Sequence, residues 1–136
     1  MRISWLSILA AFLLLAVPTA LLAQPTISVI NPNAGPTAGG QTVNITGTGF
    51  TTGGTVNDVT FGGVSGTNLV VNSDTDLDVD TPAGTAGQVD VIVVNPGTGS
   101  VTATNGYEYA AAPTITNVNP NAGPTAGGTT VTLSAT

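Results

Sequence analysis

The 136-residue chain has no cysteine, no histidine and no lysine, and its one basic side chain, Arg2, stands at the extreme N-terminus. Each gap closes a class of function. Without cysteine there are no disulfides, no thiolate metal ligands and no thiol nucleophile, so the fold rests on its core alone. Without histidine or lysine the usual general bases and activated nucleophiles are missing, and the serines have no partner to activate them, which argues against an enzyme. Past Arg2 no cation offsets the seven acidic residues. Phosphate backbones and anionic lipid surfaces then have nothing to bind, and nucleic acid is excluded as a partner. Aromatic residues are scarce as well. The single tryptophan, Trp5, lies in the N-terminal apolar run, which leaves the remainder without the commonest sugar-stacking side chain.

That apolar run is the first feature present. Arg2 precedes an uncharged stretch from Ile3 to Ala23, with the helix breaker Pro18 near its end and small residues at Ala20 and Ala23. This order reads residues 1–23 as a signal peptide, a helix cleaved after Ala23. The mature chain then begins at Gln24, is secreted or displayed at the cell surface, and has no membrane segment. The run also approaches the length of a bilayer span, so a retained anchor is the alternative, against which Pro18 and the alanines argue.

The strongest internal signal is a repeat. Pro25 to Thr46 reads PTISVINPNAGPTAGGQTVNIT and Pro113 to Ser134 reads PTITNVNPNAGPTAGGTTVTLS, identical at fifteen of twenty-two positions and offset by 88. The first copy is followed by the remainder of a domain of ordinary size, and the second by two further residues. The expected organisation is a signal over 1–23, one β domain over 24–110, and a linker with the start of a second, truncated domain over 111–136. The short spacer Ala111-Ala112-Pro113 limits how far one module can swing against the next.

Between the copies no helical period is sustained. Thr and Val favour a pleated, half-buried surface, and Gly, Asn and Pro punctuate it. Strands are expected over about 26–30, 42–46, 57–61, 68–72, 75–81, 88–95 and 101–109. Asn31 to Gly40, with two prolines and three glycines, should form a rigid turn or a bulged edge strand. The run VDVIVVN over 89–95 suggests a central strand buried on most of its surface. About seven short strands at this spacing argue for an all-β sandwich of two sheets.

The ordered motifs Gly39-Gly40, Val43, Ile45, Gly47-Thr48-Gly49-Phe50, Val59, Phe61-Gly62-Gly63, Leu77, Val79, Pro82-Ala83-Gly84, Gly87, Val89, Val91, Val93, Tyr107 and Tyr109 are similar to those of the IPT/TIG family. The second cassette resembles the first two strands of that family. The resemblance implies an immunoglobulin-like (E-set/TIG) β-sandwich, used in tandem in bacterial surface proteins, in some polysaccharide-acting enzymes, in receptor ectodomains and in certain transcription factors. The missing cations speak against the last branch. The family has no shared catalytic site, so none is carried over. Phe50 is expected to cap one end of the core and Phe61 to pack inward. Tyr107 and Tyr109 should share a face, as core or rim residues with their hydroxyls reaching water rather than as a sugar platform.

One constellation bears on cofactors. Asp74, Asp76, Asp78 and Asp80 fall on one face of the expected fifth strand. As an EF-hand the pattern fails, because Val79 stands where glycine is needed and Thr85 where glutamate is needed. A solvated acidic edge that keeps strands from pairing is the reading favoured. A calcium site, completed by a loop such as that holding Asp58, is the alternative; no other cofactor is indicated. Asn44-Ile45-Thr46 is a sequon, accessible if Asn44 faces outward.

The function expected from these features is a non-catalytic extracellular module, a spacer, adhesion or interaction domain whose partners are neighbouring repeats and a surface protein or glycan. Two alternatives stay open. One is an accessory polysaccharide-binding module of a larger secreted enzyme, and the other is a subunit that polymerises when 114–136 donates strands to the next molecule.

Overall fold

The computed structural model describes residues 22–136, so the signal expected over 1–23 lies almost wholly outside the described residues. Eleven strands follow one another: β1 (Thr26–Asn31), β2 (Ala34–Pro36), β3 (Thr42–Thr48), β4 (Asp58–Phe61), β5 (Val64–Ser65), β6 (Thr67–Ser73), β7 (Asp76–Asp80), β8 (Gly87–Asn95), β9 (Gly99–Ala110), β10 (Ile115–Asn119) and β11 (Thr132–Ala135). None of the described residues forms a helix long and apolar enough to cross a membrane.

Alternation decides which side of each strand is dry. In β3 the inward residues are Val43 and Ile45, in β7 Leu77 and Val79, in β4 Val59 and Phe61, in β8 Val91 and Val93, and in β9 Tyr107 and Tyr109, all buried. These faces belong to two sheets, one in the order β1-β3-β7-β6 and one in the order β2-β9-β8-β4-β5. The two layers enclose a single apolar cluster, which Phe50 and Val56 join from the loop after β3. The expected immunoglobulin-like sandwich is what forms.

Four local expectations are refined. The Asn31–Gly40 segment carries β2, an edge strand that runs parallel to β9 with Ala34 opposite Glu108 and Pro36 opposite Ala110. Gly62 and Gly63, both at positive φ, make a two-residue turn that pairs Phe61 with Val64 and adds the short strand β5. β8 is central but fully buried on one face only, with Ile92 and Val94 half-covered on the other. The tyrosine hydroxyls do not reach water: Tyr109 donates to the Pro82 carbonyl at 2.7 Å and Tyr107 to Gln41 Oε1 at 3.2 Å. Phe61, Tyr107 and Tyr109 stack edge to face at 5.3 and 5.1 Å between ring centres, so the aromatic row belongs to the core.

The course of β9 sets the long axis. Gln24, where the sandwich begins, lies against Gly99 at the start of β9, and the chain leaves at Ala110 at its other end. A strand of twelve residues, at about 3.3 Å each and shortened by its bulge, spans roughly 35 Å. Chain entry and exit are therefore at opposite poles.

Beyond Ala110, β10 and β11 form a separate two-stranded sheet. Its register reproduces that of β1 and β3. Ile27 pairs with Gly47 and Ile115 with Ala135, Val29 with Thr46 and Asn117 with Ser134, Ile30 with Ile45 and Val118 with Leu133, and the irregularity after the first pair recurs at the same place.

Candidate functional site

The acidic face is built on β7, whose outward positions are Asp76, Asp78 and Asp80. β7 runs between β3 and β6, so the stripe lies on the outer face of an interior strand and does not guard an edge, as the sequence suggested. Amides from both neighbours bracket it. Asn44 on β3 donates through Nδ2 to Asp76 at 3.0 Å and to Asp78 at 2.9 Å. Asn72 on β6 donates to the other oxygens of the same two carboxylates at 2.7 and 2.8 Å. Asp80 accepts from Asn68 Nδ2 at 2.8 Å and from the Thr42 hydroxyl. The amides of Asn44 and Asn72 hold the Asp76 carboxyl below its ordinary pKa, and Asn68 and Thr42 do the same for Asp80.

Asp74 does not share this face. It lies in the turn between β6 and β7, one residue past the end of β6, and turns toward the loop after β3. There it accepts the backbone amides of Gly49, Thr51 and Thr52 at 3.2, 3.0 and 2.9 Å, and the hydroxyls of Thr51 and Thr52 at 2.9 Å each. The Thr51 amide and the two threonine hydroxyls depress its pKa strongly. The same loop is held from the opposite sheet by Asn95, which is wholly buried. Its Nδ2 donates to the carbonyls of Gly49, Thr52 and Gly54 at 2.9, 3.1 and 2.6 Å, and its Oδ1 accepts from the Gly97 amide at 2.9 Å. A carboxylate takes the loop's donors and an amide takes its acceptors, and between them Phe50 is pressed into the core.

The sequence marks Asn95 only as the last residue of the strand expected over 88–95. The signal for its burial was the in-phase continuation of Val91 and Val93, since the third position of that alternation must also face inward.

These placements bear on each residue proposed for chemistry. Asp58 lies on the outer face of β4, beside Ser65 at 3.2 Å, and so on the opposite side of the sandwich from the acidic stripe. The described residues contain no group of three or more acidic, histidine or cysteine side chains arranged to hold a metal ion. The sequon nitrogen, Asn44 Nδ2, is engaged by two carboxylates and lies in the middle of β3. Two shallow clefts can be named among the described residues. One, of about 400 Å³, lies at the exit pole among Phe61, Val64, Gly84, Val89 and Tyr109. The other, of about 270 Å³, lies on the second hairpin among Val118, Pro120, Ala122, Thr129 and Val131.

Residues 25–109 match the family model described as the IPT/TIG domain. Over 93 residues the chain is 40% identical to a cyclomaltodextrin glucanotransferase of Paenibacillus macerans, an alignment that covers 65% of this chain and 13% of that one. Among solved structures, the full extracellular region of plexin A4, domains 1 to 10, is similar with a TM-score of 0.57 and 27% identity over 71% of this chain and 8% of plexin. A second plexin A4 structure, with domains 1 to 8, has a TM-score of 0.52 at 23% identity, covers 90% of this chain and 13% of plexin, and supports likeness of fold alone. The chain thus spans a small part of the length of either relative.

Proposed function

The chain belongs to the IPT/TIG domain family, and from that premise we propose that it is a non-catalytic extracellular spacer and interaction module, one unit of a serial array. The observation that carries this reading is the placement of chain entry and exit at opposite poles of the sandwich. A module threaded in this way adds its full length, roughly 35 Å, to whatever it carries. The repeated hairpin after a short alanine-proline linker supports a second unit of the same kind beginning at 111. An extracellular location is supported by the signal-like residues 1–23 and by the likeness to the extracellular region of plexin A4.

Small-angle scattering on two complete modules, joined in tandem through the native 111–113 linker, tests the spacer role. An elongated particle with a narrow spread of end-to-end distances is expected. A compact particle folded back on itself would refute it.

The likeness to a glucanotransferase favours one further reading, an accessory domain attached to a polysaccharide-acting enzyme. With Tyr107 and Tyr109 buried, any glycan contact falls to polar side chains on the outer faces. Retention of the module on immobilised polysaccharide would support that reading, and silence across a broad glycan panel would remove it.

A further inference from the structure

The two hairpins are alike enough for either one to fit the body formed by β4 to β9, and repeat proteins with interchangeable elements are prone to swapping. Seating within one chain is closed by reach. In the first module both ends of the hairpin lie at the entry pole, because Thr26 pairs with Thr48 and Gln24 rests on Gly99. The second hairpin leaves from Ala110 at the exit pole, and four residues extend at most about 14 Å, well short of the roughly 35 Å required. Exchange between two molecules has no such barrier.

Two of the seven differences between the cassettes, and a third in the residue that follows them, bear on that exchange. Asn44, whose Nδ2 donates to both Asp76 and Asp78, is replaced by Thr132, which has no amide and is too short to bridge two carboxylates. Gln41, which accepts the Tyr107 hydroxyl beside Gly35, is replaced by Thr129, which ends beside Gly123 and falls short of a phenol seated in that place. Gly47, whose amide donates to the Thr75 carbonyl at 3.0 Å, is replaced by Ala135. A Cβ at position 47 would stand 2.8 Å from the Phe50 ring, which the clamp of Asp74 and Asn95 holds in the first body, so that ring must shift before alanine is accepted there.

We propose that Gln41, Asn44 and Gly47 key the first hairpin to its own body, and that Thr129, Thr132 and Ala135 exclude the second hairpin from the body of another copy of this chain. The residues that make the core, Val43 and Ile45 against Val131 and Leu133, are interchangeable in character and supply affinity without discrimination. Discrimination comes from the amide demanded by two carboxylates, the acceptor demanded by a buried phenol, and the space taken by the Phe50 ring. The inference holds whatever the array presents or binds.

The test uses the full chain with two cysteines added to an otherwise cysteine-free sequence, Asp80→Cys and Thr130→Cys. Thr130 is the equivalent of Thr42, which faces Asp80 across β3 and β7, so a short bis-maleimide added after dilution links two chains above the background of the two single-cysteine variants only where the second hairpin of one sits on the body of the other. The protein is unfolded, refolded at high concentration and crosslinked, and the interchain dimer is scored on a denaturing gel. In that background the triple change Thr129→Gln, Thr132→Asn and Ala135→Gly restores the three keys. The expected result is a dimer yield about tenfold or more above that of the natural hairpin, as charge-assisted hydrogen bonds and a relieved clash would give. Equal yields from the two hairpins, whether both high or both negligible, would overturn the proposal, since the three positions would then not be what separates them. Unchanged thermal unfolding of the first module in the triple variant shows that the changes act on the second hairpin alone.

Discussion

Two stretches sharing fifteen of twenty-two residues adopt one hairpin in one register, yet they end in opposite environments. In the first copy Val43 and Ile45 are 0% exposed, and in the second the equivalent Val131 and Leu133 are 49% and 60% exposed. The local sequence therefore specifies strand pairing, including its irregularity, while burial is supplied by β7, β8 and β9. A two-stranded ribbon alone is marginal in water, and three or more strands with a covered face are needed for independent stability. The cassette encodes a shape; the body turns that shape into a stable fold.

Matched substitutions give the widest separation. Ile45→Ala should cost the first module about 2–5 kcal/mol, because it opens a cavity against Leu77 and Phe50. Leu133→Ala, the same change in the other copy, should stay within about 0.5 kcal/mol in the same chemical denaturation experiment. Comparable losses at the two positions would mean that the second hairpin is also packed in solution.

Asn95→Ala should come next, at about 2–4 kcal/mol, since it strands three carbonyls of the loop that presses Phe50 inward. The second hairpin has no counterpart of this clamp among the described residues, and its own amide exchange should not respond. Thermal unfolding together with exchange across β10 and β11 checks both halves.

Acid should produce the mildest difference. The carboxyls of Asp74, Asp76 and Asp80 have folded pKa values below the unfolded value of 3.8, so they bind fewer protons folded than unfolded. Their contribution is present in full above the unfolded value and fades as pH falls through the folded ones. Stability of the first module should be flat from about pH 7 to 5 and decline below about pH 4. Asp74→Asn should flatten part of that decline. A fall in stability on raising pH from 5 to 7 would contradict the sign.

The all-β class, the strand positions and the repeat were legible because they are written in alternation, turn residues and identity at a fixed offset. The partnership of β2 with β9 was not, since Ala34 and Glu108 are far apart in sequence and a three-residue strand has no period. The acidic stripe was legible as a shared face, but its position inside the sheet was not, because composition does not tell which strands neighbour β7. Asp74 looked like a fourth member of the stripe until the turn before β7 took it out of phase. Asn44 and Asn72 carried no warning, for a polar residue pointing outward from a strand is ordinary until the carboxylates facing it are known.

Hydrogen exchange of the backbone amides tests the central claim most directly, because it reads both hairpins in one sample. Amides of β3 should exchange only through global unfolding of the sandwich, at least about a thousandfold more slowly than those of β11, which should exchange near the rate of an open chain. Equal protection of β11 and β3 would contradict the account, for it would show that the cassette is stable without the body that covers it.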